Sequence, residues 1–177
     1  MDVIENEIIP ALDEIGRDFE TGKAYLPELL MSAEAASLAF EVVKSKMPKK
    51  EASGKSVVLA TVKGDIHDIG KNIVKVMLES YGYCVYDLGR DVSPERVLNA
   101  VKEHSCPLVG LSALMTTTVP AMKQTIDLLR ENAPDVKIMV GGAVLTPEYA
   151  DMIGADLYAP DAMGAVRVAE SFYRGLE

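Results

Sequence analysis

The sequence contains little of what marks several common classes of protein. It has no Trp, three Phe and two Cys in 177 residues, so its core must be built from aliphatic side chains, Ala and Met. Basic residues are in the minority, because 18 Lys and Arg stand against 27 Asp and Glu, for a net charge of −9. A nucleic acid or an anionic membrane would need a basic face, and neither is therefore an expected partner.

Two further absences concern the compartment. No apolar run is long enough to cross a bilayer, and the first residues, MDVIENEII, carry acidic residues where a signal peptide has a basic region. Cys84 and Cys106 show no spacing that predicts a disulfide. We therefore expect a reduced, cytoplasmic chain without a membrane partner.

The first 50 residues differ in pattern from the rest. Apolar residues recur at three- and four-residue steps over 3–19 and again from Leu26 to Met47, which predicts two amphipathic helices. Two helices alone cannot form a core, so their apolar faces must cover another part of the molecule, a ligand or another chain. The predicted organisation is a helical segment at 1–50, a polar linker at 51–55 and an α/β domain at 56–177.

From Ser56 onward, short apolar runs alternate with helical periodicity. We predict strands at 56–62, 83–88, 107–111, 136–140 and 156–159, and helices at 69–80, 94–104, 118–132, 146–152 and 162–174. Such alternation is typical of a parallel sheet with helices on both faces. The expected fold is a flavodoxin-like five-stranded sheet of order 2-1-3-4-5, whose ligand site lies where the order reverses, between the first and third strands.

A single histidine follows the first predicted strand, in the segment GDIHDIG. Asp65 stands two residues before His67 and can accept a hydrogen bond from one ring nitrogen, which leaves the other nitrogen free for a metal. Gly70 allows a bulky group to approach the first turn of the next helix. The alternative is that Asp65 or Asp68 caps that helix and that His67 is an ordinary loop residue.

Small and hydroxyl residues follow the third and fourth strands. The first of these loops begins at Ser112 and includes Thr116, Thr117 and Thr118, and the second is Gly141 to Ala143. Carboxyl ends of parallel strands share one edge, so these loops should open on the same crevice as His67. Alternatively, the threonines cap the next helix and the glycines simply turn the chain.

This chain lacks the residues that several common functions of this fold require. A receiver domain needs an aspartate where Ser112 stands, and a flavodoxin needs a phosphate loop where this chain has two acids. A P-loop motif is absent. A structural zinc site lacks ligands, because His104 lies in a predicted surface helix. A ligand that brings its own metal and a long appendage remains.

Three motifs resemble those of a known family. Asp-Ile-His-Asp-Ile-Gly at 65–70, Ser-Ala-Leu at 112–114 and Gly-Gly at 141–142 are similar in type, order and spacing to the signature of cobalamin-binding domains of methionine synthase and corrinoid methyltransferase proteins. The resemblance implies cobalamin, as methylcobalamin or a related corrinoid, bound with its own base displaced and His67 on the cobalt. The implied cofactor-binding residues are Asp65, His67, Asp68, Ile69, Gly70, Ser112, Leu114, Thr116, Gly141 and Gly142, of which small ones leave a path for the nucleotide tail.

The resemblance also implies roles beyond the metal ligand. Asp65 would hydrogen-bond His67, and Thr118 would support Asp65 where methionine synthases carry serine, so that the three form the catalytic set. Phe19 and Leu26 match the spacing of two residues that shield the methyl group in a four-helix cap. Only about half of such a cap precedes residue 50. The segment is therefore a partial cap, or a second copy of the chain completes it in a homodimer.

The implied function is that of a carrier. The chain has no room for a barrel that binds a methyl donor or acceptor, so we expect a methyl-donor methyltransferase and a methyl-acceptor methyltransferase, of the tetrahydrofolate or homocysteine type, as partners. The alternatives are the cobalamin-binding subunit of an adenosylcobalamin-dependent mutase, a cobalamin-dependent sensor, and a domain of this fold without a cofactor.

Overall fold

The computed structural model describes residues 3–46 and 54–176 and divides into two compact units, residues 1–48 and 49–177. In the first unit, a π-helical turn at Ile4–Ile8 precedes helix α1 (Ile9–Glu20), and helix α2 (Leu26–Lys46) follows. The single helix expected over 3–19 is thus two segments. Pro10 lacks the N–H that a continuous α-helix would use at this point. Most of the expected linker, residues 51–53, lies outside the described residues.

Several large apolar side chains of the first unit are exposed. Phe19 on α1 is 40% exposed, and on α2 Met31 is 69% and Leu38 64% exposed. Ala24 and Ala36 are buried. Several large apolar side chains of the two helices are therefore open to solvent.

The second unit is a five-stranded parallel sheet in the order β2-β1-β3-β4-β5, which confirms the predicted topology. The strands are β1 (Ser56–Thr61), β2 (Cys84–Asp87), β3 (Leu108–Ser112), β4 (Lys137–Gly141) and β5 (Leu157–Ala159). The helices are α3 (Ile69–Ser80), α4 (Pro94–His104), α5 (Val119–Asn132), α6 (Pro147–Met152) and α7 (Ala162–Arg174). A 3-10 turn at Thr116–Thr118 precedes α5.

Burial on both faces explains why β1 is a continuous apolar run. Val58 and Ala60 face a core that α4 and α5 cover, with Val97, Met122 and Ile126 among its members. Alternate residues of the strand point to the opposite face, where α3 and α7 pack against each other. A strand covered on both faces needs apolar residues at every position.

The boundaries of two strands differ from the prediction in a way that matters for the site. Ser112 and Gly141 were expected in loops, but they are the last residues of β3 and β4 and pair with each other. The hydrogen-bonded ladder extends one residue further because each strand has a neighbour on both sides at that height. Among the helices within 3–46 and 54–176, none is both long and apolar enough to cross a membrane.

Candidate functional site

Four strand ends form one row at the carboxyl edge of the sheet. Thr61 pairs with Ser112, Ser112 with Gly141, and Gly141 with Ala159. The loops that follow β1, β3 and β4 start from this row. The structure therefore brings the three sequence motifs to one edge, as the topology predicted.

Asp65 is the centre of the hydrogen-bond network in the loop after β1. Its side chain is fully buried. Oδ1 accepts from the backbone N–H of His67 at 3.0 Å and lies 2.8 Å from Nδ1 of the same residue. Oδ2 accepts from the N–H of Leu114 at 2.8 Å, the N–H of Met115 at 3.3 Å and Oγ1 of Thr118 at 3.0 Å. One carboxylate therefore ties the loop after β1 to the loop after β3.

These donors keep the Asp65 carboxyl group ionised. Burial alone would raise its pKa, but hydrogen bonds from the His67 and Leu114 N–H groups, the His67 ring and Thr118 outweigh burial and lower the pKa to about 2. An ionised carboxylate can only accept hydrogen bonds, so Nδ1 of His67 carries the ring hydrogen. The lone pair of the neutral imidazole is then on Nε2.

The His67 ring is available to a ligand. Its side chain is 46% exposed although its partner Asp65 is buried, and within the described part of the chain no residue hydrogen-bonds Nε2. A neutral imidazole whose second nitrogen is held by a carboxylate is a common arrangement of metal-ligating histidines. The geometry thus suits coordination of one metal through Nε2.

The helix that follows His67 begins without a side-chain cap. Asp68 occupies the capping position of α3, but its side chain makes no capping hydrogen bond. Ile69 is the first residue of the helix, and a Cβ added to Gly70 would meet no described atom within 4 Å. The alternative interpretation of Asp65 and Asp68 as helix caps is therefore not supported, and the space beside Gly70 is open.

The loop after β3 presents a mixture of exposed and buried residues. Leu114 is 41% exposed and Thr118 is buried, whereas Ser112 is half-buried and Thr116 exposed. Thr118 precedes α5 but makes no side-chain cap. Its hydroxyl group reaches Oδ2 of Asp65 at 3.0 Å and the carbonyl of Met115 at 2.8 Å. The single hydroxyl hydrogen serves two acceptors, one of which is charged.

The structure gives Gly141, the last residue of β4, and Gly142, which follows it, a reason to be small that the sequence did not show. A Cβ on Gly142, whose φ is +131°, would lie 1.9 Å from the carbonyl oxygen of Ala113, and a Cβ on Gly141 would lie 2.9 Å from that of Ala159. The missing side chains point at neighbouring backbone rather than at open space. Close packing of the strand ends requires these glycines. Contact of their backbone with a nucleotide tail stays a prediction.

Phe19 and Leu26 belong to the first unit. Phe19 lies in the last turn of α1 and is exposed. Leu26 is the first residue of α2, and its side chain lies outside the described residues. The shielding role of this pair stays a prediction.

Sequence reasoning missed two residues that hold the loop between β1 and α3, residues 62–68, which we call the histidine loop. Oδ1 of Asp91 accepts from the N–H of Gly64 at 2.8 Å, and the N–H of Asp91 donates to the carbonyl of Asp65 at 3.0 Å. Thr61 hydrogen-bonds the carbonyl of His67 at 3.2 Å. Nothing in the sequence marks Asp91, because its contacts join two separate loops. Thr61 could have been noticed as a hydroxyl at the end of an aliphatic run.

Comparison with known proteins identifies the family. Residues 55–167 match a family model described as a B12 binding domain, and residues 1–44 match a second model of the same description. Dimethylamine corrinoid protein 1 of Methanosarcina acetivorans is 44% identical over 173 residues, which cover 96% of this chain and 81% of that protein.

Two solved structures are also similar. The monomethylamine corrinoid protein of Methanosarcina barkeri has a TM-score of 0.89 and 34% identity, over 97% of this chain and 82% of its own. A chain of the methanol:cobalamin methyltransferase complex from the same organism has a TM-score of 0.68 and 33% identity, over 98% of this chain and 67% of its own.

The described residues fit the cofactor of this family. An imidazole with Nε2 free and Nδ1 held by an ionised carboxylate can donate to cobalt, and the space beside Gly70 allows a large ligand to approach. The chain therefore belongs to the family of B12-binding corrinoid proteins, and its cofactor is cobalamin or a related corrinoid.

Proposed function

We propose that the chain is a methyl carrier that holds a methyl group on the cobalt of its corrinoid between two partner methyltransferases. The observation that carries the proposal is the His67 side chain, which is half exposed, has a free Nε2 and is held through Nδ1 by the ionised Asp65. When bound, the corrinoid supplies the nucleophilic and methyl-accepting chemistry of its cobalt.

His67 is the proposed lower ligand, with the cofactor's own base displaced. Asp65 fixes the tautomer and orientation of the imidazole, so that Nε2 is presented without a loss of rotational freedom at the moment of binding. A proton can be shared among Nδ1 of His67, Oδ1 of Asp65 and, through Oδ2, the hydroxyl group of Thr118, because each step is 3.0 Å or shorter.

The remaining proposed contacts line the edge of the sheet. Leu114 and Thr116 are exposed beside the row of strand ends, and with Ser112, Gly141 and Gly142 they form the proposed floor of a groove for the nucleotide tail. Asp68, Ile69 and Gly70 are proposed to face the corrin at the start of α3. Phe19 and Leu26 are proposed to shield its upper side as part of a partial cap at 1–50.

The partners are proposed from the relatives. The similar proteins are named for dimethylamine and monomethylamine, and one similar chain comes from a methanol:cobalamin methyltransferase complex. A methylamine methyltransferase is therefore the first donor partner to test. The acceptor partner is proposed to be a methyltransferase of the tetrahydrofolate or homocysteine type. A homodimer through the helices of the first unit stays a prediction.

The test is reconstitution with methylcobalamin, followed by desalting and a visible spectrum at neutral pH. Wild-type protein should retain the pigment with an imidazole-ligated spectrum, and His67→Ala should show the spectrum of the cofactor without a lower base. The matched control is His104→Ala, because His104 is the other histidine of the chain and stacks on Tyr86 with ring centroids 3.7 Å apart.

The outcomes separate binding from transfer. His104→Ala should resemble wild type, and demethylation of the pigment should require an added methyltransferase. A wild-type protein that desalts colourless, or a spectrum that is the same in His67→Ala and wild type, would contradict the proposed function. Rearrangement of a carbon skeleton with adenosylcobalamin would instead show a mutase subunit.

A further inference from the structure

Thr61 is a buried hydroxyl residue at the end of an aliphatic strand. Its exposure is 0%, and it follows Val57, Val58, Leu59 and Ala60 in β1. A hydroxyl group at this depth is costly unless it is hydrogen-bonded. Its partner is the carbonyl of His67, with Oγ1 and the oxygen 3.2 Å apart.

The backbone of Thr61 is already satisfied without this side chain. Its N–H donates to the carbonyl of Gly89 at 3.0 Å, and its carbonyl accepts from the N–H of Val92 at 3.0 Å. The strand end is thus joined to the loop after β2 by backbone alone. The hydroxyl group does nothing for the ladder and is left to act on the histidine loop.

The Thr61 contact fixes a part of His67 that Asp65 does not reach. Asp65 holds the N–H and the ring of His67. The carbonyl of His67 lies before the uncapped Asp68 with φ −126° and outside the first turn of α3. Without Thr61, the peptide between His67 and Asp68 would have no described side chain to hold it.

We propose that Thr61 is a positioning residue for His67. This inference rests on the proposed role of His67 as the lower ligand of the cofactor. The Thr61 hydroxyl group holds the carbonyl of His67, and Asp65 holds its N–H and its ring. His67 is therefore fixed at both ends of its backbone when Nε2 coordinates a metal. Because the Thr61 hydroxyl group bonds the carbonyl of His67, it acts through the backbone of that residue.

The first measurement uses protein without the cofactor. Amide hydrogen exchange at His67, whose N–H donates to Oδ1 of Asp65, should be about two- to tenfold faster in Thr61→Val than in wild type, the range that follows from loss of one hydrogen bond. Thr61→Ser restores a hydroxyl group and should return the exchange rate to the wild-type value. The matched control is Thr125→Val, because Thr125 is equally buried and its hydroxyl group bonds the carbonyl of Ala121 at 2.9 Å within α5.

The second measurement uses protein loaded with cob(II)alamin. In protein whose histidines are labelled with 15N, the 15N splitting in the electron paramagnetic resonance spectrum counts the molecules in which an imidazole is on the metal, because the cofactor's own base is unlabelled. In Thr61→Val, the ratio of imidazole-bound to imidazole-free protein should fall by about two- to tenfold, whereas Thr61→Ser and Thr125→Val should retain the wild-type ratio. Thr61→Ala is used in place of Thr61→Val if the latter does not fold.

The two measurements distinguish failure of this proposal from failure of the proposed function. Unchanged exchange and an unchanged ratio in Thr61→Val would overturn the role of Thr61 while leaving His67 as the ligand. An equal loss in Thr125→Val would also overturn it, because the effect would then be one of general stability. If wild type shows no 15N splitting, His67 is not the ligand, and the proposal falls together with the proposed function.

Discussion

The loop after β1 and the loop after β4 end at the same edge of the sheet, but different interactions hold them. In the first, side chains make the contacts: Asp65 accepts from His67, Leu114, Met115 and Thr118, and Asp91 accepts from Gly64. In the second, backbone packs against backbone, with the Cα of Gly142 too close to Ala113 for any side chain. One loop depends on charge and the other on shape.

The difference shows how one family signature can combine two physical requirements. In the proposed function the loop after β1 presents a metal ligand, so the orientation of His67 has to be set by hydrogen bonds. In the same proposal the loop after β4 presents only backbone, so it only has to lie close to its neighbours. Gly70 belongs to a third case, because nothing described lies within 4 Å of the Cβ it lacks.

Gly142→Ala should have the largest effect on stability, because it tests whether close backbone packing holds the loop after β4. A Cβ 1.9 Å from the carbonyl of Ala113, on a residue with φ +131°, combines steric overlap with backbone strain and should lower the free energy of unfolding by about 4 kcal/mol. Urea unfolding of the cofactor-free protein measures this. The matched control is Gly154→Ala, which has φ +82° but its nearest contact at 3.9 Å, and which should lose only about 1 kcal/mol. Equal losses in the two variants would mean that shape is not what holds the loop.

Ion pairs also hold helix α3, which begins directly after the loop that follows β1. Two of its lysines pair with Asp87 at the end of β2, and the variant Asp87→Asn tests these pairs. Nζ of Lys71 lies 2.6 Å from Oδ1 of Asp87, and Nζ of Lys75 lies 3.2 Å from Oδ2, with the Lys71 side chain 2% exposed. Removing the charge leaves a buried lysine without its counter-ion, so Asp87→Asn should lose about 3 kcal/mol at neutral pH. The exposed pair Lys123–Asp127 supplies the control, because Asp127→Asn should change stability by less than about 0.5 kcal/mol.

The same variant predicts a pH dependence. Burial of Asp87 would raise its pKa, but the hydrogen bond from Lys71, the N–H of Gly89 and the charges of Lys71 and Lys75 lower it below the ordinary value of 3.8. Because the pKa of Asp87 is lower in the folded than in the unfolded protein, its ionised carboxylate stabilises the fold at pH values above the unfolded-state pKa. This contribution is lost as the pH falls through the folded-state pKa. The gap in unfolding free energy between wild type and Asp87→Asn should therefore be constant near neutrality and shrink below about pH 4. A gap that is independent of pH would show that packing, and not charge, anchors α3.

The smallest expected effect on stability is that of Gly70→Ala. The added methyl group meets no described atom, and alanine suits a helix better than glycine, so stability should be unchanged or rise by up to about 1 kcal/mol. The methyl group would occupy space proposed for the corrin, and affinity for methylcobalamin should fall about tenfold or more. Spectroscopic titration measures the affinity. Unchanged affinity would place the cofactor away from the start of α3.

Periodicity predicted the strands and helices of the second unit to within a residue or two, because every strand is a short apolar run and every helix has a clear stripe. At the start of the chain it predicted one helix over 3–19, where the structure has a π-helical turn at Ile4–Ile8 followed directly by α1. The site motifs lie at the predicted edge of the sheet, although Ser112 and Gly141 belong to the ends of strands and not to loops. The packing of Gly141 and Gly142 against neighbouring backbone was not predicted, since a pattern of small residues does not tell whether a ligand or the protein's own backbone lies beside them.

The contacts that hold the site could not be found in this way. Asp91 meets Gly64 across 27 positions and Leu114 meets Asp65 across 49, and nothing local records such a contact. Thr61 lies near His67 in the chain, but a threonine in a strand is ordinary. Only the folded backbone shows where its hydroxyl group points.

The amino-acid order alone determined the parallel sheet, the position of its switch point and the identity of the histidine, because these follow from local periodicity and from the connections that a parallel sheet permits. The tertiary structure decided which groups surround the Asp65 carboxylate, which glycines the fold itself requires and which one faces open space. Those properties depend on distances between strands and loops far apart in the chain, and such distances are set only when the helices and the sheet pack together.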